Sequence, residues 1–122
     1  MELEVDEILQ KGIEAHGAGQ ISEAERLFDQ ILSIQPHHPD ANHKMGKLAF
    51  GEDRVFEALA YFKIALLADS NQGEYWLNYI DALLQLDKLD DAKTVFDQAK
   101  QKGAEGDAFD LIEKRISDLS MI

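Results

Sequence analysis

Apolar residues along this chain recur at steps of three and four. Ile8, Leu9, Gly12 and Ile13 form one such set, and Ala24, Leu27, Phe28, Ile31 and Leu32 the next. At 3.6 residues per turn each set falls on one face of a helix, so the pattern predicts paired amphipathic helices. Within the pairs the pattern breaks at Gly17-Ala18-Gly19, Gly51-Glu52-Asp53 and Leu86-Asp87-Lys88. The first two breaks contain glycine, which reaches left-handed backbone conformations at little cost and so ends helices. The third lacks it and predicts a tighter turn. Between pairs lies Gln35-Pro36-His37-His38-Pro39-Asp40, where Pro36 cannot continue one helix and Pro39 suits the opening of the next. Asn71-Gln72-Gly73 and the stretch Lys102-Gly103-Ala104-Glu105-Gly106 make the later joints. Residues 107–119 read as a seventh helix, capped by Asp107, with Ala108, Leu111, Ile112, Ile116 and Leu119 on its inner side. Asp110, Glu113, Lys114, Ser117 and Asp118 line its polar side.

A shift of 34 residues lays the chain on itself. Ala24, Ala58 and Ala92 fall in register, as do Phe28, Phe62 and Phe96, and each alanine follows an acid (Glu23, Glu57, Asp91). Gly12 matches Gly46, with Ile80 in the third place. The repeats are therefore 5–38, 39–72 and 73–106, within one domain over 1–122. Small residues let two antiparallel helices approach, so Gly12 is expected to face Ala24, and Gly46 to face Ala58. Phe28 and its equivalents are then expected to fill the gap towards the next repeat. Ile80 implies a wider approach in the third pair. No hairpin buries its apolar stripe alone, so the units must stack, with the seventh helix as a polar end cap.

This pattern resembles the tetratricopeptide repeat, whose signature sets Trp, Leu, Gly and Tyr on the first helix and Ala, Phe and Pro on the second. Repeat one offers Ile8, Lys11, Gly12, Ala15, Ala24, Phe28 and Pro36; repeat two Asn42, Met45, Gly46, Ala49, Ala58, Phe62 and Ser70; repeat three Trp76, Tyr79, Ile80, Leu83, Ala92, Phe96 and Ala104. The resemblance implies an all-α, right-handed solenoid of three helical hairpins plus a C-terminal capping helix. It also implies a concave groove lined by the first helix of each pair. That groove would be built from Leu9, Ile13 and His16, then His43, Lys44, Lys47 and Phe50, then Leu77, Asn78, Asp81 and Leu84. Trp76, at the signature's tryptophan position, is expected in the core, and Tyr75 is left free to touch a ligand. Some members of the family grip a peptide's terminal carboxylate with lysine, asparagine and arginine; the matching positions here are Leu9, Ile13, Lys44, Glu74 and Asn78, so that clamp is missing. A looser likeness, over the last 50 or so residues, is to repeat arms fused to bacterial glycosyltransferases and sulfotransferases. It rests on the stretch from Tyr75 to Leu83 and on Asp107-Ala108-Phe109-Asp110.

Charge and composition narrow the function. Twenty-four acids against twelve bases leave −12 at pH 7, a field that repels phosphate backbones, so no nucleic-acid partner is expected. There is no cysteine, hence no disulfide or thiolate chemistry. The start is acidic where a secretory signal is basic and then apolar, and no apolar run approaches a membrane span, so a cytoplasmic protein without membrane insertion is expected. His37, His38 and His43 cluster with Asp40, but zinc needs three or four converging ligands, and adjacent turn histidines point apart; no metal is expected. No serine has a histidine placed as its base, and no glycine-rich loop opens a helix after a strand. The expectation is a non-catalytic, cofactor-free module that holds a protein or peptide, with a transferase arm as the alternative. Pairing of two copies through Leu3, Leu9 and Ile13 is a third arrangement compatible with the sequence.

Overall fold

The computed structural model describes residues 3–122, which form seven α-helices and no strand. The helices are α1 (Leu3–Gly17), α2 (Ile21–Ile34), α3 (Pro39–Gly51), α4 (Val55–Ala68), α5 (Gly73–Gln85), α6 (Leu89–Gln101) and α7 (Asp107–Ser120). Successive helices pack as hairpins. The first helices also touch along the stack, α1 on α3, α3 on α5 and α5 on α7, whereas α2, α4 and α6 make no such backbone approach to one another. A stack closed on one side and spread on the other must curve. The first helices form the inner layer and the second helices the outer one.

The three hairpins turn through one backbone device. Gly19, Asp53 and Asp87 occupy equivalent positions and all have positive φ, at 79°, 64° and 58°. In each case the following residue donates its N–H to a carbonyl five residues back: Gln20 to Ala15, Arg54 to Ala49 and Lys88 to Leu83, all at 2.9 Å. This is the Schellman closure, in which a left-handed residue lets the chain reach back and satisfy an orphan helix carbonyl. The third turn is thus not tighter than the others. In the second turn Asp53, not Gly51, takes the special conformation; Gly51 is the last residue of α3. Aspartate tolerates the left-handed region better than most residues, at a cost glycine avoids.

The repeating alanines are the deepest part of the core: Ala24, Ala58 and Ala92 are fully buried, and Phe28, Phe62 and Phe96 are buried beside them. The small inner-layer residues serve the phenylalanines rather than the alanines. A Cβ placed on Gly12 would stand 2.5 Å from the Phe28 ring, and one on Gly46 would stand 2.5 Å from the Phe62 ring. Each ring therefore lies against bare helix backbone of its own hairpin, and Phe28 also shares a cluster with Met45 and Leu48 of the next repeat. Ile80 takes the third glycine position fully buried, and α5 and α6 form the loosest of the three hairpins.

The signature's tryptophan position carries a second device. The Trp76 indole N–H donates to the Ser70 carbonyl at 2.9 Å. Asn42, its equivalent, donates from Nδ2 to Pro36 O at 3.1 Å and to His38 O at 2.9 Å. Both side chains tie the preceding joint to the inner layer. Helix α7 differs from its sequence reading: Phe109, Ile112 and Ile116 are buried, while Ala108, Leu111 and Leu119 are exposed. The Phe109 ring pulls the helix round, lying 6.4 Å from Phe96 and against Gly73. Asp107 does not cap α7; Gly106, at φ 117°, holds that position and no side chain does.

Candidate functional site

The inner layer is where the expected groove residues lie, and they divide by burial. Leu9, Ile13 and His16 on α1 are half-buried, the first two against the Ala24–Phe28 cluster. On α3, Lys44 and Phe50 are half-buried and Lys47 is exposed. On α5, Leu77, Asn78 and Asp81 are half-buried, with Leu77 leaning on the third-repeat core. His43 and Leu84 are buried, at 1% and 6% exposed. Leu3, one of the residues considered for self-pairing, has a side chain outside the described set.

His43 is the hub between α3 and α5. Its Nε2–H donates to Asn78 Oδ1 at 2.6 Å, its ring lies 4.5 Å from that of Tyr75, and Glu74 stands 4.0 Å away. Burial holds the imidazole below its ordinary pKa; the Asn78 bond and the Glu74 charge push the other way, and Lys44 and Lys47 add to the depression. Tyr75 is buried on this ring rather than free for a ligand. Its phenol is pushed up to about 12, first by burial and then by the carboxylates of Asp40, Asp69 and Glu74.

The inner layer's charges are largely spent on one another. Lys47 pairs with Glu74 at 3.2 Å, Lys44 stands 4.0 Å from Asp40, and Arg115 of α7 pairs with Asp81 at 2.9 Å. The last pair brings α7 onto the same face, so that Arg115 and Leu111, neither of them among the expected groove residues, join the inner layer. Leu111 lies one turn before Arg115 and is 67% exposed. No repeat signal marks them: carried past the third repeat, the 34-residue register would bury Asp110 and Lys114 in the places of Trp76 and Ile80, and α7 buries Phe109, Ile112 and Ile116 instead.

The histidine cluster has other work. The Ala41 N–H donates to His38 Nδ1 at 3.0 Å, so that ring caps α3, while His43 is engaged as above. Among the described residues no group of three or more histidine, aspartate or glutamate side chains converges as metal ligands do, and no helix is long and apolar enough to cross a membrane.

Comparison with known proteins adds the following. A family profile described as Tetratricopeptide repeat matches residues 15–76. A stretch of 67 residues is 33% identical to the cellulose synthase operon protein C of Komagataeibacter sucrofermentans, and 31% identical over the same length to the cellulose synthase 1 operon protein C of Komagataeibacter xylinus. It spans 55% of this chain and 5% of either relative. Among solved structures, the first TPR of Spaghetti bound to an HSP90 peptide superposes with a TM-score of 0.87 at 15% identity, covering 97% of this chain and 94% of that one. The TPR2B domain of yeast Sti1, in its pHsp70 complex, gives 0.84 at 16%, covering 96% and 98%. A Thermobaculum terrenum O-GlcNAc transferase gives 0.71 at 22%, covering 80% of this chain and 19% of the enzyme. At these identities the likeness is one of fold.

Proposed function

This chain belongs to the tetratricopeptide repeat family, and on that premise we propose that it is a non-catalytic protein–protein interaction module whose inner layer receives a peptide or helix. The observation that carries this reading is the apolar track along that layer, from half-buried Leu9 and Ile13 through Leu77 to exposed Leu111. An exposed leucine in line with half-buried ones offers an anchor that the fold itself does not use. The flanking charges are already paired, so the track favours a ligand with apolar side chains at helical or alternating spacing over one read mainly by charge. Recognition of a terminal carboxylate is disfavoured, because Glu74 stands at a clamp position and Lys47 is engaged with it.

The test begins with a peptide-display selection on the immobilised chain, followed by titration of the selected peptides against wild type and Leu111→Glu. Leu111 is exposed, so the variant keeps its circular dichroism and its melting temperature. Binding weakened at least tenfold supports the groove. Selected peptides that bind both proteins equally overturn it. Leu77→Asp is the poorer probe, since Leu77 leans on the core and its loss also costs stability.

A second reading, in which these repeats form an arm that positions a larger transferase or polysaccharide-building machine, is favoured by the small share of the curated relatives' length that they cover. A catalytic domain encoded in continuity with this segment supports that reading, and its absence from the complete gene removes it.

A further inference from the structure

Apart from Glu57, Tyr61 and Lys63, helix α4 carries only apolar side chains, a composition nearer to that of a covered helix than of a surface one. Its inner face is covered: Ala58, Phe62, Ala65 and Leu66 are buried. Its outer face is not. Phe56, Ala60, Lys63 and Leu67 follow at steps of four, three and four, which aligns them in one narrow stripe. Phe56 is 71% and Leu67 78% exposed, and Ala60 and Lys63 are exposed between them. The same register positions hold Ser22, Arg26, Asp29 and Ser33 on α2, and Asp90, Thr94, Asp97 and Gln101 on α6. The outer layer is therefore polar in the first and third repeats and apolar in the second, and neither α2 nor α6 approaches α4 closely enough to cover it.

We infer that this stripe joins two copies of the chain, α4 lying antiparallel on α4 across a two-fold axis. The stripe is complementary to its own reverse. Run backwards against itself, it sets Phe56 on the partner's Leu67 and Ala60 on the partner's Lys63, and the axis repeats both contacts. Large apolar groups meet at the two ends, while at the centre the small Ala60 admits the aliphatic stem of a lysine. Charge selects the same orientation. Lys63 has no ion-pair partner of its own chain among the described residues. A parallel arrangement sets Lys63 against Lys63. The antiparallel one sets it within a turn of the partner's Glu57, which Arg54 of its own chain holds at 2.7 Å while leaving the carboxylate 56% exposed to a second cation. Four side chains from each copy amount to less than the roughly 800 Å² per partner of a stable complex, and each chain carries −12. The dimer is accordingly weak and reversible. Because α4 belongs to the outer layer, pairing leaves both inner layers open, and the inference stands apart from the groove.

Sedimentation velocity on the 122-residue chain from about 10 µM to 1 mM reads the equilibrium. A dimer forming across that range is expected, with at least tenfold weaker association in Phe56→Ser/Leu67→Gln, which installs the residues of the flanking repeats. The register is read by disulfide trapping, since the chain has no cysteine of its own. Phe56→Cys mixed with Leu67→Cys crosslinks, for that heterodimer keeps one Phe56–Leu67 contact and sets the two thiols together. Neither protein alone crosslinks, because its two thiols lie at opposite ends of the paired helices. A wild-type chain that stays monomeric throughout, a dimer indifferent to Phe56→Ser/Leu67→Gln, or Phe56→Cys crosslinking by itself each overturns the inference.

Discussion

Gly46→Ala isolates the contact on which the hairpins depend. The added methyl would stand 2.5 Å from both Cδ1 and Cε1 of Phe62, where apolar carbons prefer about 3.5–4 Å. The ring cannot retreat into solvent, because Phe62 is 1% exposed. Either α3 and α4 part or the ring leaves its rotamer. Overpacking of this kind costs about 1–3 kcal/mol, and a conflict of an ångström with a buried ring belongs at the upper end. Against it stands the gain of roughly 1 kcal/mol from replacing glycine with alanine inside a helix. The net loss is about 2 kcal/mol, which for a chain of this size lowers Tm by roughly 6–12 °C. Urea and thermal melts followed by circular dichroism measure it. Gly17→Ala is the control: nothing lies within 4 Å of its added methyl, and the expected change is a gain of up to about 0.5 kcal/mol. Repeating Gly46→Ala in a Phe62→Leu background completes a double-mutant cycle, with a coupling energy of about 2–3 kcal/mol expected once the ring is gone. A Gly46→Ala melt at or above wild type, or an equal loss in both backgrounds, refutes the assignment of glycine to the ring.

Two further outcomes follow from the turns and from the buried histidine. Gly19→Ala, forced to φ 79°, is expected to lose about 1 kcal/mol, whereas Asp87→Gly is expected to gain up to about 0.5 kcal/mol; urea midpoints decide, and the same sign for both refutes the shared left-handed turn. His43 is held neutral by burial below its ordinary value of 6.5. The unfolded chain therefore binds its proton first, and the stability tied to this ring is whole above about pH 6.5 and falls as pH drops through that value towards the folded one. Urea midpoints between about pH 7.5 and 5 should fall more steeply for wild type than for His43→Gln, and parallel curves refute that role.

The three-hairpin solenoid was legible because its determinants recur. One alanine or one phenylalanine says little, but Ala24, Ala58 and Ala92 with Phe28, Phe62 and Phe96 at one spacing leave a single solution, and these residues are the core. Features that occur once, or that rest on backbone rather than side chain, were less legible. The face of α7 could not be checked against a copy of itself. Ile112 and Ile116 fit either of two neighbouring stripes, and only the contact of Phe109 with Phe96 decides between them. The left-handed turns were hidden at Asp53 and Asp87 because aspartate advertises them less than glycine does. At the candidate site, the helix bearing each expected groove residue followed from the repeat. The burial of His43 and Leu84 did not, since both depend on how far α3 and α5 interlock across a repeat boundary.

Among the described residues every helix–helix contact joins neighbours in the stack, and none reaches beyond the adjoining repeat. The chain is thus held together by a horizon about one period deep, with no closing element that meets the first helix again. Such a structure has no fixed length. A unit can be excised, duplicated or altered in its outward residues, and the remaining units keep the surroundings they already had. That freedom is how a single hairpin, such as the one carrying the apolar α4, can change its exterior without rewriting the rest.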